Sequence, residues 1–415
     1  MHVYCTVPEH FRERDMPKIR SLFNSAVLLF SIAVCCNEST IAQDTPELDG
    51  REGRELLLRN FRPNHVLRVK QTNLTQARFP TVDVHSHFYY RLKHADVARD
   101  DYIELMDRNN IAVACSLDGM LGDRLEEHRH YLKDYDDRVV IFANINWKGS
   151  GHDDTPETWD CNQAGFVRHT VHLLQEAVES GVGGLKLFKG FGLSHRNADG
   201  TLIQIDDERF DPIWKACGDL GIPVIIHTAD PIAFFETIDE TNERWEELSR
   251  HPEWSFPADK YPSYQSLISA RNRVIARHPG TNFICAHVAS SAHDLSLVAS
   301  WLEEYDNMYV GFASRISELG RQPYTARRFL IRYADRILFS TDGPWPEQRV
   351  KLYWRFLETN DEYFPYSEKE FPPQGLWQIY GVHLPEKVLR QIYYENAVRI
   401  VPGVKERLNA YRRRR

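Results

Sequence analysis

Two histidines two residues apart, His85 and His87, stand in the run Thr81-Val82-Asp83-Val84-His85-Ser86-His87. In a strand, successive side chains alternate between faces, so Asp83, His85 and His87 share one side and Val82, Val84 and Ser86 the other. Two imidazoles so placed can reach one ion, which neutral histidine holds at about 2.0–2.1 Å in a tetrahedral zinc site. The pattern alone carries little weight. With 18 histidines in 415 residues, His-x-His is expected about once by chance. A second copy, His128-Arg129-His130, lies in a charged helical stretch that reads as no site. The weight comes from later apolar runs that end in polar groups: 223–227 in His227, 282–287 in His287, and 336–342 in Asp342, with Gly343 and Pro344 behind it. A further run, 184–187, carries Lys186. One histidine at a strand end is usually a hydrogen-bonded structural residue. His-x-His, Lys, His, His and Asp in this order make a site the stronger reading.

These residues need elements to hold them. Eight strand-like runs (81–87, 111–117, 138–144, 184–188, 223–227, 282–287, 308–312 and 336–341) alternate with amphipathic segments such as 97–108, 166–180, 209–220, 264–277, 291–304 and 324–333. Alternation of this kind predicts an α/β fold with a parallel sheet, and eight repeats predict a closed (β/α)8 TIM barrel. An open doubly wound sheet would carry a glycine-rich turn after its first strand, where this chain has His-Ser-His-Phe. In such a barrel the catalytic groups sit at the C-terminal ends of the strands. The barrel is expected over 81–410, preceded by an arm, 43–80, with one short helix near 54–60. Two segments are too long for ordinary links: 230–262, with Phe234, Phe235, Trp245, Trp254 and Phe256, and 344–380, with Trp345, Trp354, Tyr363, Phe364 and Trp377. Both read as lid insertions on the C-terminal face. Their aromatic residues either favour an apolar or aromatic substrate or pack the lids in place.

Composition excludes some functions. Hydrophobic content of 42% and charged content of 27% are those of a soluble globular protein. A net charge of −8 offers no basic face for nucleic acid. The terminal Arg412-Arg413-Arg414-Arg415 reads as a frayed, solvated helix end. Near the start, Lys18 and Arg20 precede an apolar run, 26–36, and Thr40 and Ala42 bracket a cleavage point before Gln43. Residues 1–42 therefore read as a signal segment of an exported protein, periplasmic or secreted, with no stable membrane span in the mature chain. Cys115, Cys161, Cys217 and Cys285 are widely spaced, which fits neither a disulfide framework nor a cysteine zinc site.

The order and type of the strand-end residues resemble the amidohydrolase superfamily of metal-dependent (β/α)8 enzymes over roughly residues 80–400. Arg-Ile-Ser-Glu-Leu-Gly-Arg (315–321) and the run 336–342 look most like its amidohydrolase-related branch, amidohydrolase family 2, which holds hydrolases and non-oxidative decarboxylases. The resemblance implies a divalent metal held by His85, His87, His227 and Asp342. Zn²⁺ is the expected ion, with Mn²⁺ or Fe²⁺ as alternatives. Asp342 would also shuttle the proton. His287 becomes an acid/base or an electrophile beside one ion, or a ligand if there are two. Lys186 is either carboxylated and bridging two ions or a free ammonium that binds a substrate carboxylate or pairs with Asp342; the branch favours one ion. Lys189 faces solvent or touches substrate. Arg315 is an anion clamp or pairs with Glu318. The expected activity is hydrolysis of a carboxylic ester, lactone or amide of a small molecule by a metal-activated water. The alternative is non-oxidative decarboxylation, or carbon–carbon lyase chemistry, on a carboxylated ring. A non-catalytic structural zinc is disfavoured, because such sites are closed by four protein ligands. The only partner expected is a small-molecule substrate, and a homo-oligomer is compatible with the sequence.

Overall fold

A computed structural model describes residues 64–93, 96–369 and 372–415. The signal segment and the short helix expected near 54–60 lie outside them. The chain divides into two compact units, Met1–Arg68 and Val69–Arg415; of the first, residues 64–68 form no helix or strand.

The second unit is a barrel of eight parallel strands in chain order. They are β1 (Thr81–Ser86), β2 (Ile111–Met120), β3 (Val139–Asn144), β4 (Gly184–Leu187), β5 (Val224–Ile226), β6 (Phe283–Cys285), β7 (Met308–Gly311) and β8 (Ile337–Leu338). The eight expected runs each hold one strand, and helices fill the intervals. The ring closes between β1 and the residues around the end of β8. Val84 N donates to Phe339 O at 3.1 Å, Asp342 N to His85 O at 2.9 Å, and His87 N to Gly343 O at 2.7 Å. Helices begin where the sequence can satisfy their first N–H groups. Ser263 accepts from Ser266 N at the head of Tyr264–Arg277, and Asp294 accepts from Leu297 N at the head of Leu295–Glu304.

Two strands depart from expectation in ways that shape the site. β8 is only two residues long, where 336–341 had been expected to be extended. Past Leu338 two backbone N–H groups take partners outside the ladder: Phe339 N donates to Ile392 O, and Thr341 N to the Asp83 carboxylate at 3.0 Å. β2 continues to Met120, beyond the expected Leu117, and its register against β3 shifts between Ser116 and Gly119. The shift needs a glycine, since a Cβ at Gly119 would lie 2.6 Å from Phe142 O.

An apolar cluster joins Val82, Val84, Val113, Phe142, Ile225, Ile284 and Leu338 to Val404, Leu408 and Tyr411 of the last helix, Val404–Arg414. That helix corrects the frayed end read from the sequence. Arg414 pairs with Asp137, Arg415 donates to Asn110 Oδ1 at 3.1 Å, and Arg412 lies over Tyr394 at 4.6 Å. Residues 69–80 form no helix or strand and are tied along the barrel by Thr72 to Asp361 and Arg78 to Glu358 and Glu386. In 230–262, Phe234 is buried and Phe235 stacks on Phe256 at 4.9 Å. Most of those aromatics therefore pack the insertion itself, though Trp245 stays exposed. The insertion is pinned across the barrel by buried Arg244, which pairs with Glu247 at 2.9 Å and with Glu318 beyond β7 at 3.1 Å. In 344–380, Trp354 is fully buried against Phe339 at 5.0 Å; it is core and not lid. Among the described residues no helix is long and apolar enough to cross a membrane.

Candidate active site

The ends of β1 and β8 bring three donors together. Nitrogens of His85 and His87 and an oxygen of Asp342 lie within 4.8 Å of one another. Asp342 Oδ1 is 3.4 Å from His85 Nε2 and 3.3 Å from His87 Nε2. Its other oxygen accepts from Ser314 Oγ at 3.0 Å. Asp342 and Ser314 both have positive φ, 67° and 55°, a conformation that non-glycine residues hold where surrounding structure imposes it. Although burial would raise its pKa, the hydrogen bond to His87 and the neighbouring imidazoles of His85, His287 and His87 hold Asp342 well below the usual carboxylate range. It is an ionised carboxylate. Two imidazole nitrogens and a carboxylate suit a borderline divalent ion, so the donor set fits the expected metal.

Asp83 shares the face expected for it but not the site. Its carboxylate accepts from Thr341 N, Thr341 Oγ1 and His85 N, and so binds the end of β8 to β1. Burial raises it to about 7.

His87 is oriented from behind. Its Nδ1 lies 2.6 Å from Asp118 Oδ1, and the other Asp118 oxygen accepts from Tyr90 N at 2.9 Å. A carboxylate in that place keeps the proton on Nδ1 and leaves Nε2 free to bind metal. The register shift in β2 falls at Leu117-Asp118, and such irregularities re-aim side chains. Burial depresses the His87 pKa, but Asp118 and Asp342 outweigh it and raise the net value.

His227, expected as a fourth ligand, does not join the three-donor set. Its Nε2 is 3.6 Å from Asp230 Oδ1, and its ring lies 4.4 Å from that of His287. Lys189 pairs with the same Asp230 and keeps 40% of its side chain exposed, so it is partly solvent-facing as expected. His287 is buried, with its ring 5.2 Å from that of His85. Its Nδ1 lies 2.8 Å from Ala313 O. A carbonyl only accepts, so Nδ1 carries the proton and Nε2 the lone pair. That tautomer suits a ligand or a base and not an electrophile. Burial, then His227 and Arg315, keep His287 neutral, well below the ordinary histidine range.

Lys186 is 2% exposed and its amine has no hydrogen-bond partner among the described residues. Burial brings it down to about 7, against the opposing pull of Asp342 and Asp118. Its amine lies 5.2 Å from the centre of the Phe188 ring, and Phe188 in turn stacks on His87 at 6.0 Å and is exposed at the mouth. Arg315 is buried, donates to Ser314 O at 2.9 Å and lies 3.9 Å from Glu318. The expected ion pair with Glu318 is thus formed. Asp118, Asp230 and Ser314 were not singled out from the sequence. Asp118, Ser314 and Asp230 stand one, two and three residues beyond strand-like runs, a weak signal.

A family model described as Amidohydrolase matches residues 82–403. No curated protein matches the chain. Among solved structures, 2,6-dihydroxybenzoate decarboxylase in complex with 2,6-dihydroxybenzoate is similar at 17% identity, with 78% of this chain and 99% of that one covered and a TM-score of 0.46. A dihydroxybenzoic acid decarboxylase from Polaromonas sp. JS666 with bound manganese gives 15%, 77%, 96% and 0.46. Dihydroorotase from Campylobacter jejuni gives 14%, 80%, 85% and 0.44.

Proposed function

The chain belongs to the amidohydrolase family, and from that premise we propose that it is a metal-dependent hydrolase of a carboxylic ester, lactone or amide bond in a small molecule. The observation that carries this reading is the double position of Asp342. One oxygen stands between His85 and His87, while the other is fixed by Ser314. A divalent ion held by His85, His87 and Asp342, which we take to be Zn²⁺, supplies Lewis acidity and lowers the pKa of water at the site. Asp342, ionised, takes the proton of the attacking water and returns it to the leaving group. Asp118 holds the His87 tautomer. His287, neutral with its lone pair on Nε2, stabilises that proton transfer as an acceptor.

A second reading rests on Lys186. A buried amine without a hydrogen-bond partner is suited to a substrate carboxylate, which favours non-oxidative decarboxylation at the same centre.

The test is Asp342→Asn. It keeps an oxygen donor and removes the base, and a positioned general acid–base contributes typically about 10²–10⁴-fold. Turnover per bound metal should fall at least about 100-fold with an unchanged melting curve. Turnover within about threefold of wild type, far short of that range, refutes Asp342 as the proton carrier. Release of CO₂ from a carboxylated ring, with no ester, lactone or amide cleaved, selects the second reading.

A further inference from the structure

Beside Asp342 lies a small cavity whose lining includes Ser314, Ser317, Arg349, Tyr353, Tyr366 and Gln374. Two of these residues connect it to the centre. Ser314 donates to Asp342, and Tyr353 OH donates to the carbonyl of Thr341, the residue before it, at 2.9 Å. The cavity volume is about 20 Å³, enough for one small polar group. Its lining contains a guanidinium and no carboxylate.

Most of its donors are already committed. Ser317 Oγ gives its proton to Glu318 at 2.6 Å, and Tyr366 OH donates to Gly375 O at 3.0 Å. Glu318, behind Ser317, is neutralised by Arg244 and Arg315. Arg349 is different. It lies over Trp345 at 3.5 Å from the ring centre and has no ion-pair partner among the described residues. Among the described residues Gln374 meets only Ser317 through its side chain, and with two N–H donors it keeps at least one unused whichever way the amide is turned. The unused donors of this cavity include a guanidinium, an amide N–H and the Ser367 hydroxyl, which accepts from Lys369 N; such a set selects an anion, and a guanidinium reads a carboxylate bidentately.

We propose that this cavity is a substrate subsite, in which Arg349 and Gln374 bind a carboxylate substituent of the substrate beside Asp342. The inference rests on the hydrolase reading for the bond that is cleaved, but binding at the subsite does not require turnover. It also places this carboxylate behind Asp342, on its Ser314 side, and not on the metal, where the decarboxylase reading would put the reacting one.

The experiment is calorimetric titration of the full-length, zinc-loaded protein with benzoate and with benzamide, its neutral counterpart. Benzoate should bind at least about tenfold more tightly than benzamide, since hydrogen bonds to charged groups are the strong ones. Arg349→Gln should weaken benzoate by about tenfold or more and leave benzamide unchanged. Arg349→Lys should retain more affinity than Arg349→Gln. Benzoate affinity in Arg349→Gln within about twofold of wild type, far short of a lost charged hydrogen bond, overturns the proposal; it would mean that the carboxylate sits elsewhere, on the metal included. Failure of the wild type to distinguish benzoate from benzamide overturns it equally. If Arg349→Gln does not fold, Gln374→Glu decides. A carboxylate in the cavity should abolish benzoate binding, and unchanged binding refutes the subsite. None of these outcomes depends on the Asp342→Asn result, so subsite and hydrolase reading can fail separately.

Discussion

Asp118→Asn changes one oxygen to nitrogen on a residue that touches neither metal nor substrate in the proposed site. Both Asp118 oxygens are acceptors in the fold, one for His87 Nδ1 at 2.6 Å and one for Tyr90 N at 2.9 Å. An amide has one accepting oxygen and a donating NH2. Whichever way the new amide turns, either His87 or Tyr90 N faces a donor. If His87 is the loser, its proton is no longer held on Nδ1, and the tautomer with free Nε2 loses its support. If Tyr90 is the loser, the helix Phe88–Leu92 that follows His87 is loosened, and the charge behind the imidazole is still gone. Loss of such a supporting carboxylate lowers metal affinity by typically about 10–100-fold, or about 1.4–2.8 kcal/mol. Asp118→Ala, which removes both acceptors, should lose at least as much. The assay is titration of zinc or manganese into the variant against a competing chelator, beside a circular dichroism melt. An affinity within about twofold of wild type, outside that range, in a variant that melts normally would show that Asp118 does not orient His87 for metal.

Two further expectations concern stability. Arg244→Ala leaves Glu318 and Glu247 without the buried guanidinium that joins them; breaking a buried pair costs about 3–5 kcal/mol, and the urea midpoint should fall accordingly, with no change if the network is dispensable. His128 is buried against Ser116, and burial holds it down at about 4 against an ordinary 6.5. The fold thus binds this proton more weakly than the unfolded chain. His128 should cost nothing above pH 6.5 and drain stability as pH falls from there to about 4, by up to about 3 kcal/mol. Unfolding measured across that window should give a flatter profile for His128→Gln than for wild type; parallel profiles would refute the assignment.

Much of the architecture was legible in the chain because it depends on local pattern. Apolar runs at regular intervals with helical segments between them leave few solutions other than a closed parallel barrel, and the fold places one strand in each run. The positions of His85, His87 and Asp342 followed from the same logic, since a strand-end residue in such a barrel faces a common mouth. Spacing does not encode where a side chain finds its partner. Asp83 has the parity of the two histidines, yet its carboxylate is spent on Thr341, 258 positions away in the chain. His227 ends its run as His87 does, yet it faces Asp230. Arg315 offered both a clamp and an ion pair, and the fold sets Glu318, one turn further on, between it and Arg244 of the insertion after β5. Asp118 reaches His87 only because β2 shifts register at Leu117-Asp118. Strand order and the identity of the strand-end residues are thus properties of the sequence, set by hydrophobic periodicity. Which of those residues meet, and what holds each one still, were decided by tertiary packing, because hydrogen bonds between distant segments depend on register shifts and loop paths that no local pattern specifies.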